Sequence, residues 1–516
     1  MNWKKWIKYT GIGLVVLTVI TFFVMKQGFT KMYGGYTKLV DVEQFKPKTG
    51  PVAIKNVNVL APNGAHFITG QTIFMEAGLI KAIGEGVVIP SSSTIIDGKG
   101  KFLIPGLIDS HVHLFKSPND LLLYIANGVT GIREMIGNEK RLALKQQIAN
   151  GRIGPQMWVA SPPLGTGGDM TKWFITLTRE GLNINNAKAA ELTVKELSEK
   201  GYDAIKIYSH LNKESYLAAT KTAKDLGMPV VGHIPWEIEL SDVWENGQSE
   251  IAHLEELMNT LRRDFNIGEE KGAADFFEFI VEQSDELANN LIKHDIGVTS
   301  TLWLTQSFVK QKFDLDKLLH EIELAYVNPG MSEGVKFGDS GFGWLPETNL
   351  YRLPEGLPEN EKAGRKRFWT NYGKGTALLA KELSKRGVKI MVGTDANLPP
   401  TIPGFSLHDE LKSLNEAGMS TAQVLQAATA VPAEWMNNNA GKIAAGYVAN
   451  LVLLDKNPLE NIRHTKTINT VFSNGQVFDR NLLDQLLAAV KEANDLSRTI
   501  DISEYGEREN LVTTKD

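Results

Sequence analysis

The stretch "GLIDSHVHLF", residues 106–115, places His111 and His113 one residue apart at the end of an apolar run. Successive side chains of a β-strand point to opposite faces, so a strand here directs both imidazoles to the same side. The whole chain of 516 residues contains only ten histidines. A pair of them on one face of a buried strand indicates that further polar groups meet them there.

Seven more apolar, strand-like pieces follow and alternate with helical stretches. Eight strand–helix units over roughly 300 residues predict an α/β fold built as a (β/α)8 TIM barrel. Near-continuous apolar runs are typical of parallel strands that are buried on both faces. In chain order the seven pieces are "GVTGIREM", "PQMWVASP", "YDAIKIYS", "MPVVGHIP", "SEIAHLEE", "IGVTSTLW" and "VKIMVGTDA".

Two blocks of short alternating β-branched runs, 51–103 and 436–480, bracket this middle region. Turn signals such as Asn-Gly and Asp-Gly separate the runs, which predicts one small β-sandwich assembled from both ends of the chain. The barrel then spans 104–435. An insertion at 255–372 contains a segment rich in Gly, Pro and aromatic residues, which favours a long ordered loop or lid. Residues 481–516 read as a C-terminal helix with a polar tail.

The N-terminal segment, residues 1–33, differs from the rest of the chain. The run from Tyr9 to Met25 carries no charge and spans roughly 26 Å as a helix. Three lysines precede it, and Trp3 and Trp6 suit a membrane interface. The pattern favours an uncleaved signal anchor, a transmembrane helix with the body in the periplasm or outside the cell. A cleaved signal peptide is the alternative.

Composition narrows the possible partners. A net charge of −5 gives no basic footprint, which argues against nucleic acid and leaves a small-molecule substrate and the membrane. The absence of cysteine excludes disulfides, iron–sulfur clusters and thiol nucleophiles. A metal would have to be bound by His, Asp, Glu or a modified Lys. Homo-oligomerisation stays open.

Catalytic groups of a TIM barrel come from the carboxyl ends of its strands. Four further residues stand there with His111 and His113. Singly, each has an ordinary explanation as a core, capping or paired residue. Together, several imidazoles, an amine and a carboxylate in one confined space would repel or lack partners unless a divalent cation compensates them. The sequence therefore predicts a metal site that includes Lys206, His233, His253 and Asp395.

Other polar residues permit two interpretations. Tyr208 faces the predicted barrel mouth and either polarises a substrate carbonyl or packs in the core. Arg133, at the end of the second strand, either binds a substrate carboxylate or braces the barrel. The loop 164–169, "LGTGGD", lacks the lysine of a phosphate loop and is predicted to lie flexibly beside the pocket. The remaining histidines are predicted to be structural or exposed: His66, His210, His294, His320, His408 and His464.

The pieces "GLIDSHVHL", "DAIKIY", "GHIP", "AHLEE" and "VGTDA", followed by "GKIAAGYVANLVLLDKNPL", resemble the metal-dependent amidohydrolase superfamily. The resemblance is greatest to the branch of imidazolonepropionase-like enzymes and Xaa-Pro or Xaa-Arg dipeptidases, and it covers roughly 52–479. Two departures stand out. Asn450 occupies a position where Asp is usual, and the bulky Ile234 and Pro235 follow His233 where small residues are common.

This resemblance implies a ligand set and a reaction. It implies that His111 and His113 bind one metal together with Asp395, which also accepts a proton from the attacking water. His233 and His253 would bind a second metal, and a carboxylated Lys206 would bridge two Zn²⁺. An unmodified Lys206 with one metal is the fallback, and manganese, cobalt or iron stay open.

The implied reaction is hydrolysis of an amide or peptide-like C–N bond by a metal-activated water. Candidate substrates are a dipeptide, an N-acyl amino acid or a cyclic amide. Two alternatives remain: a lactonase or organophosphate hydrolase that uses the same site, and a catalytically inactive, membrane-anchored binding protein.

Overall fold

The computed structural model describes residues 3–168, 181–265, 272–338 and 340–505. Eight short strands form within the eight strand-like pieces predicted from the sequence, the first of them within "GLIDSHVHLF". We call these strands the parallel array. All eight fall within the pieces that the sequence predicts, and the α/β class is confirmed. Their bounds are Leu107–Val112, Val129–Glu134, Gln156–Val159, Ile205–Ile207, Val230–Gly232, Glu250–Ile251, Gly297–Thr299 and Ile390–Met391.

Parallel pairing links the array into two ladders. The first three strands form one ladder, and strands four to eight form the other. Isolated parallel bridges join Ala160 to Ala204 and Val112 to Ala396, at the two places where the ladders meet. Ala160, Ala204 and Ala396 lie outside the strand bounds, so these bridges extend the pairing beyond the two ladders.

Helices separate the strands of the array. Four of the described helices begin after an asparagine, Asn138, Asn186, Asn212 or Asn328, whose side chain accepts a hydrogen bond from a backbone N–H of the first turn. The helices from the first strand to the eighth are Asp120–Ala126, Glu139–Ala149, Ala187–Glu199, Lys213–Asp225, Leu240–Asn246, Leu254–Asp264, Ala273–Lys293, Leu302–Phe313, Leu315–Glu321, Pro329–Glu333 and Glu359–Lys385. Phe405–Ala417, Thr421–Ala427, Ala430–Trp435 and Arg480–Asp495 follow the eighth strand.

Both ends of the chain contribute to a nine-stranded sheet. Phe102–Pro105 pairs in parallel with Val52–Leu60 and antiparallel with Leu451–Leu454, and so joins the two blocks. Phe102–Pro105 thus continues the hydrogen bonding from the N-terminal block to the C-terminal one within a single sheet. The other strands are Lys48–Thr49, Phe67–Glu76, Leu79–Gly84, Thr94–Asp97, Ile468–Ser473 and Gln476–Asp479.

The segment 255–372 is not a single insertion. It contains the seventh strand of the array and several helices, among them the amphipathic Ala273–Lys293, whose apolar face is buried. The irregular part is shorter and runs from Gly334 to Pro358, with one small hairpin of Lys336–Phe337 and Ser340–Gly341.

The N-terminal segment forms one helix, Trp3–Met32. Its stretch Tyr9–Met32 is long and apolar enough to cross a membrane. Every described side chain from Tyr9 to Val24 is exposed, whereas Phe29 is buried. The residues that follow are fixed to the body: the Thr37 hydroxyl donates to Asn328 Oδ1 at 2.7 Å.

We predict that both ends of the chain stabilise the nine-stranded sheet together. Leu453 pairs with Leu103 across neighbouring strands, and both side chains are fully buried. Leu453→Ala should lower the free energy of unfolding by about 2–5 kcal/mol through the lost contacts and the cavity, seen as a fall in Tm. The control Ile95→Ala, at an exposed position of the same sheet, should change it by less than about 0.5 kcal/mol. Equal falls in Tm would contradict this packing.

Candidate metal centre

Four of the six predicted ligands meet directly at the carboxyl ends of the strands. One nitrogen each of His111 and His253 and one carboxylate oxygen of Asp395 all lie within 4.8 Å of one another. His113 Nε2 lies 2.8 Å from Asp395 Oδ1, and His111 Nε2 lies 3.7 Å from the same oxygen. The two imidazoles of the opening motif thus share one carboxylate from the end of the last strand.

His233 and Lys206 complete the predicted set. The ring centroid of His233 lies 5.2 Å from that of His253. Lys206 is buried, and its Nζ has no hydrogen-bond partner among the described residues. The two residues come from neighbouring strands, since Lys206 pairs with Val231 in the ladder. All six predicted ligands therefore converge on one region.

Residues beyond the predicted set orient the imidazoles. His233 Nδ1 lies 2.7 Å from Ser209 Oγ and 3.1 Å from Glu256 Oε1. His253 Nδ1 lies 3.0 Å from Thr301 Oγ1. Such contacts fix the ring and leave the other nitrogen, Nε2, to face a metal. The sequence reasoning missed these partners, although Glu256 stands inside the quoted "AHLEE".

The backbone around the centre is held in unusual conformations. His253, Thr301 and Asp395 have φ values of 71°, 49° and 58°. Residues other than glycine rarely adopt this left-handed region, and they do so mostly where the surroundings enforce it at functional sites. At Asp395 the surroundings are visible: its N–H donates to the carbonyl oxygen of His111 at 2.8 Å. First and last strands are therefore joined at the centre itself.

A buried carboxylate beneath the centre strengthens this joint. Asp109 accepts hydrogen bonds from the Thr394 N–H at 3.0 Å and from the Thr394 hydroxyl at 2.7 Å. Burial raises the pKa of Asp109 to about 7, although these hydrogen bonds act in the opposite direction. Asp109 thus positions the loop that carries Asp395 without reaching the centre.

The backbone geometry at Gly232, the residue before His233, requires a glycine. Its φ is +122°, and a Cβ added there would lie 2.2 Å from the carbonyl oxygen of Ile207 and 3.1 Å from Lys206 Cδ. Any larger residue would displace the strand that carries Lys206. The glycine of "GHIP" therefore lets two predicted ligands approach each other.

Burial sets the protonation states of the ligands. It lowers the pKa of His111 well below its ordinary value and that of His253 to about 3. It also lowers the pKa of Lys206 to about 8. Burial alone would raise the pKa of Asp395, but the neighbouring His113 and His253 hold this pKa below the ordinary range. Neutral imidazoles and an ionised carboxylate are the forms that bind metal ions.

The unpaired atoms test whether a cation fits here. Buried polar atoms nearly always have hydrogen-bond partners. Among the described residues, four buried nitrogen atoms of this centre have none, and a divalent cation would satisfy several of them at once. They are His111 Nδ1 and Nε2, His113 Nδ1 and Lys206 Nζ. The residues present therefore fit a metal ion.

Arg133 lies deeper than a substrate-binding residue would. Its guanidinium is fully buried between the rings of Trp158 and Trp435, at 4.8 and 4.3 Å from their centroids. Its Nη2 lies 3.5 Å from Glu250 Oε2. It is not among the described residues that line the cavity above the centre. This environment corresponds to the bracing interpretation.

A cavity of about 790 Å³ opens above the centre. Tyr208 lines it, with its ring centroid 4.7 Å from that of His233. The bulky Ile234 and Pro235, the departure from the family pattern, also line it. His210, expected to be exposed, is half-buried against Trp236. Of the loop 164–169, Asp169 lies outside the described residues.

Two other expectations concern structural residues. The Nδ1 of His408 lies 2.9 Å from Thr465 Oγ1 and its Nε2 lies 3.1 Å from the carbonyl oxygen of Asn127, in the core and away from the centre. Asn450 Oδ1 accepts from the Asn474 N–H at 2.9 Å. Both side chains connect neighbouring segments, in line with the structural roles expected of them.

Fold and centre together define an α/β protein with a buried site suited to a divalent metal. The structure of bottromycin amidohydrolase is similar, with a TM-score of 0.63 at 21% identity over 87% of this chain and 91% of that one. The structure of a Xaa-Pro dipeptidase with methionine bound in its active site has a TM-score of 0.59 at 17% identity, over 83% of this chain and 100% of that one. At these identities the likeness concerns the fold alone.

Sequence comparison gives the family. A dihydroorotase of Geobacter metallireducens is 26% identical over 173 residues, 31% of this chain and 37% of that protein, so the match spans well under half of that relative. The amidohydrolase family model matches residues 102–478. Because this match covers most of the chain, the protein belongs to the amidohydrolase family, and the predicted resemblance is confirmed.

We predict that the centre binds metal through the opening motif. In protein expressed with added zinc or manganese, His111→Ala should lose about one equivalent of bound metal per chain by elemental analysis, because a first ligand is missing. The control His66→Ala, at an exposed position of the nine-stranded sheet region, should keep the wild-type content. Wild-type metal content in His111→Ala would contradict the assignment.

Proposed function

We propose that this protein is a metal-dependent amidohydrolase that cleaves an amide or peptide-like C–N bond of a small molecule. The observation that carries the proposal is the buried cluster of His111, His253 and Asp395, in which His253 and Asp395 line a large cavity. Family membership supports hydrolytic chemistry. The similar proteins, a dihydroorotase, a Xaa-Pro dipeptidase and a bottromycin amidohydrolase, support an amide-type bond as the target.

We further propose that the metal is zinc and that two ions bind. His111, His113 and Asp395 would hold one ion, and His233 and His253 the other, with a carboxylated Lys206 between them. The nitrogen and oxygen donor set supports zinc. The burial of Lys206 supports the modification, because its lowered pKa of about 8 favours the neutral amine that reacts with carbon dioxide. With Lys206 unmodified, one ion is expected.

When bound, the metal would polarise the substrate carbonyl and lower the pKa of a water molecule. The chain's own residues supply the proton transfers. Asp395 Oδ1 accepts the proton of the attacking water and delivers it to the departing nitrogen. The ionised state of Asp395, maintained by His113 at 2.8 Å, suits it to the first of these steps. We propose that the Tyr208 hydroxyl donates a hydrogen bond to the carbonyl oxygen.

We also infer that the parallel array is a closed (β/α)8 barrel. The two isolated bridges between its ladders support closure. We infer that Trp3–Met32 anchors the protein in a membrane, with the body in the periplasm or outside the cell. Its exposed apolar run and the lysines that precede it support this orientation.

The proposal is tested with a substrate screen. Full-length protein is assayed in detergent with dipeptides, N-acetyl amino acids and cyclic amides, as purified, after chelation, and after chelation followed by zinc or manganese. We expect amide hydrolysis that chelation abolishes and metal restores. Turnover that survives complete chelation would overturn the metal-dependent mechanism.

We predict that Asp395→Asn lowers kcat by about 10²–10⁴-fold, because the amide side chain can neither accept the proton of the water nor return it to the leaving nitrogen. Its Tm should stay near that of the wild type. The control Asp225→Asn, at an exposed helix position paired with Lys221, should keep wild-type kcat. Turnover of Asp395→Asn within tenfold of the wild type would refute its role as proton carrier.

A further inference from the structure

The end of the N-terminal helix forms part of the cavity above the metal centre. Phe29 and Met32, from its last turn, and Tyr33, just beyond it, line the cavity together with His113 and His233. Earlier in the same helix, 9–24 expose their side chains. The N-terminal part of this helix therefore has an exposed apolar surface, whereas its C-terminal end forms part of the wall of the candidate active site.

Contacts tie this wall to the metal centre. The Tyr33 ring stacks on Phe115, with centroids 4.6 Å apart and planes at 23°. The Phe115 ring in turn lies 5.6 Å from that of His113. The Lys116 N–H donates to the carbonyl oxygen of Tyr33 at 2.9 Å. The helix end thus rests on the loop that follows the first strand and its two histidines.

On its other side the helix end packs against Pro329–Glu333. A Cβ added to Gly330 would lie 1.9 Å from the carbonyl oxygen of Lys31, so the two backbones approach as closely as a glycine allows. Lys31 Nζ lies 3.4 Å from the buried Glu333. These contacts hold the helix in one place and register on the body of the protein.

The neighbouring wall of the cavity is also apolar. Met331, Phe342 and Trp344 line it beside the helix end. Further along, Phe308 packs against Tyr351, with ring centroids 4.9 Å apart. Small polar substrates need fixed polar partners, whereas a surface of this kind gains free energy by covering hydrocarbon.

We propose, on the basis of the amide hydrolysis proposed above, that the substrate is an N-acyl amino acid with a long acyl chain. The acyl chain lies between the N-terminal helix end and the wall of Met331, Phe342 and Trp344, and the amide lies over the metal centre. Hydrolysis breaks the C–N bond, forms a C–O bond to the oxygen of water, and moves a proton of that water to nitrogen. The products are a fatty acid and an amino acid.

The same helix indicates where such a substrate comes from. From Val24, the last residue of the exposed apolar run, to Phe29 is roughly 8 Å along the helix axis. A helix that spans a bilayer with 9–24 therefore places the cavity wall at the interface with the lipid headgroups. A long-chain amphiphile dissolved in that bilayer can enter the cavity without crossing bulk water.

Photolabelling tests the binding site without turnover. Metal-free, full-length protein in phosphatidylcholine vesicles is irradiated with an N-acyl alanine that carries a diazirine at the end of a sixteen-carbon chain. Trypsin cleavage after Lys26, Lys31 and Lys38 separates 27–31 and 32–38, which contain Phe29, Met32 and Tyr33, from the exposed run. We expect label on both short peptides that excess unlabelled N-palmitoyl alanine displaces. Label confined to the exposed run, or label that is not displaced, would overturn the proposal.

Kinetics with a matched pair of variants provide the second measurement. Against aqueous substrate concentration, kcat/KM should rise by up to about fourfold per methylene from N-acetyl to N-palmitoyl alanine, and partition into the vesicle contributes to this rise. The variants separate the two effects. Phe29→Ala should lower the palmitoyl-to-acetyl ratio of kcat/KM at least tenfold, whereas Phe23→Ala, at an exposed position of the same helix, should leave it unchanged. Equal ratios in both variants would overturn the proposal.

The two measurements separate this proposal from the one on which it rests. Hydrolysis of acetylated amino acids or dipeptides without displaceable label would retain the amidohydrolase and refute the acyl-chain site. Displaceable label in a protein that hydrolyses no amide with any metal would retain the acyl-chain site and refute the reaction assigned to it.

Discussion

Desolvation is the constraint on which the centre and much of its surroundings depend. Imidazoles, an amine and a carboxylate occupy a region where burial lowers the pKa of His111, His253 and Lys206 and opposes the ionisation of Asp395. Uncompensated charge in such a place costs several kcal/mol. The histidines respond by staying neutral, and Asp395 stays ionised only because donors surround it. A bound divalent cation would offset this desolvation cost. The residues that are costly to bury together are therefore also the ones that would favour metal binding.

A second layer of buried polar residues makes this arrangement rigid. Glu250 accepts a hydrogen bond from the hydroxyl of Thr299 and one from the N–H of Gly232 at 3.3 Å, while Arg133 faces it. Asp109 does the same for Thr394 on the opposite side of the array. These carboxylates join neighbouring strand ends from below, so the ligands above them cannot separate without breaking buried hydrogen bonds. The short strands, some only two residues long, need this support because their ladders contain few backbone hydrogen bonds.

The sequence predicts the strands and the convergence of the six candidate ligands because both follow from local rules. Period two joins His111 to His113, and an apolar run that ends in a polar residue marks a strand end. It could not reach Thr301 as the partner of His253, or Trp435 as the cover of Arg133, since those contacts join residues far apart in the chain. Local alternation likewise identifies strands in both blocks of the nine-stranded sheet but does not reveal that Phe102–Pro105 connects them.

The end of the N-terminal helix connects its exposed apolar run to the cavity in a way that no local sequence pattern reveals. The contact between Thr37 and Asn328 closes a loop of 291 residues. Each residue of a helix rotates the side-chain direction by about 100° around the axis and adds about 1.5 Å to the helix length. A single residue added between the exposed run and Phe29 would therefore turn the apolar run away from its original direction while the wall stayed in place. The length of the exposed run, its rotation about the helix axis and the lining of the cavity by Phe29 are thus properties of one continuous helix.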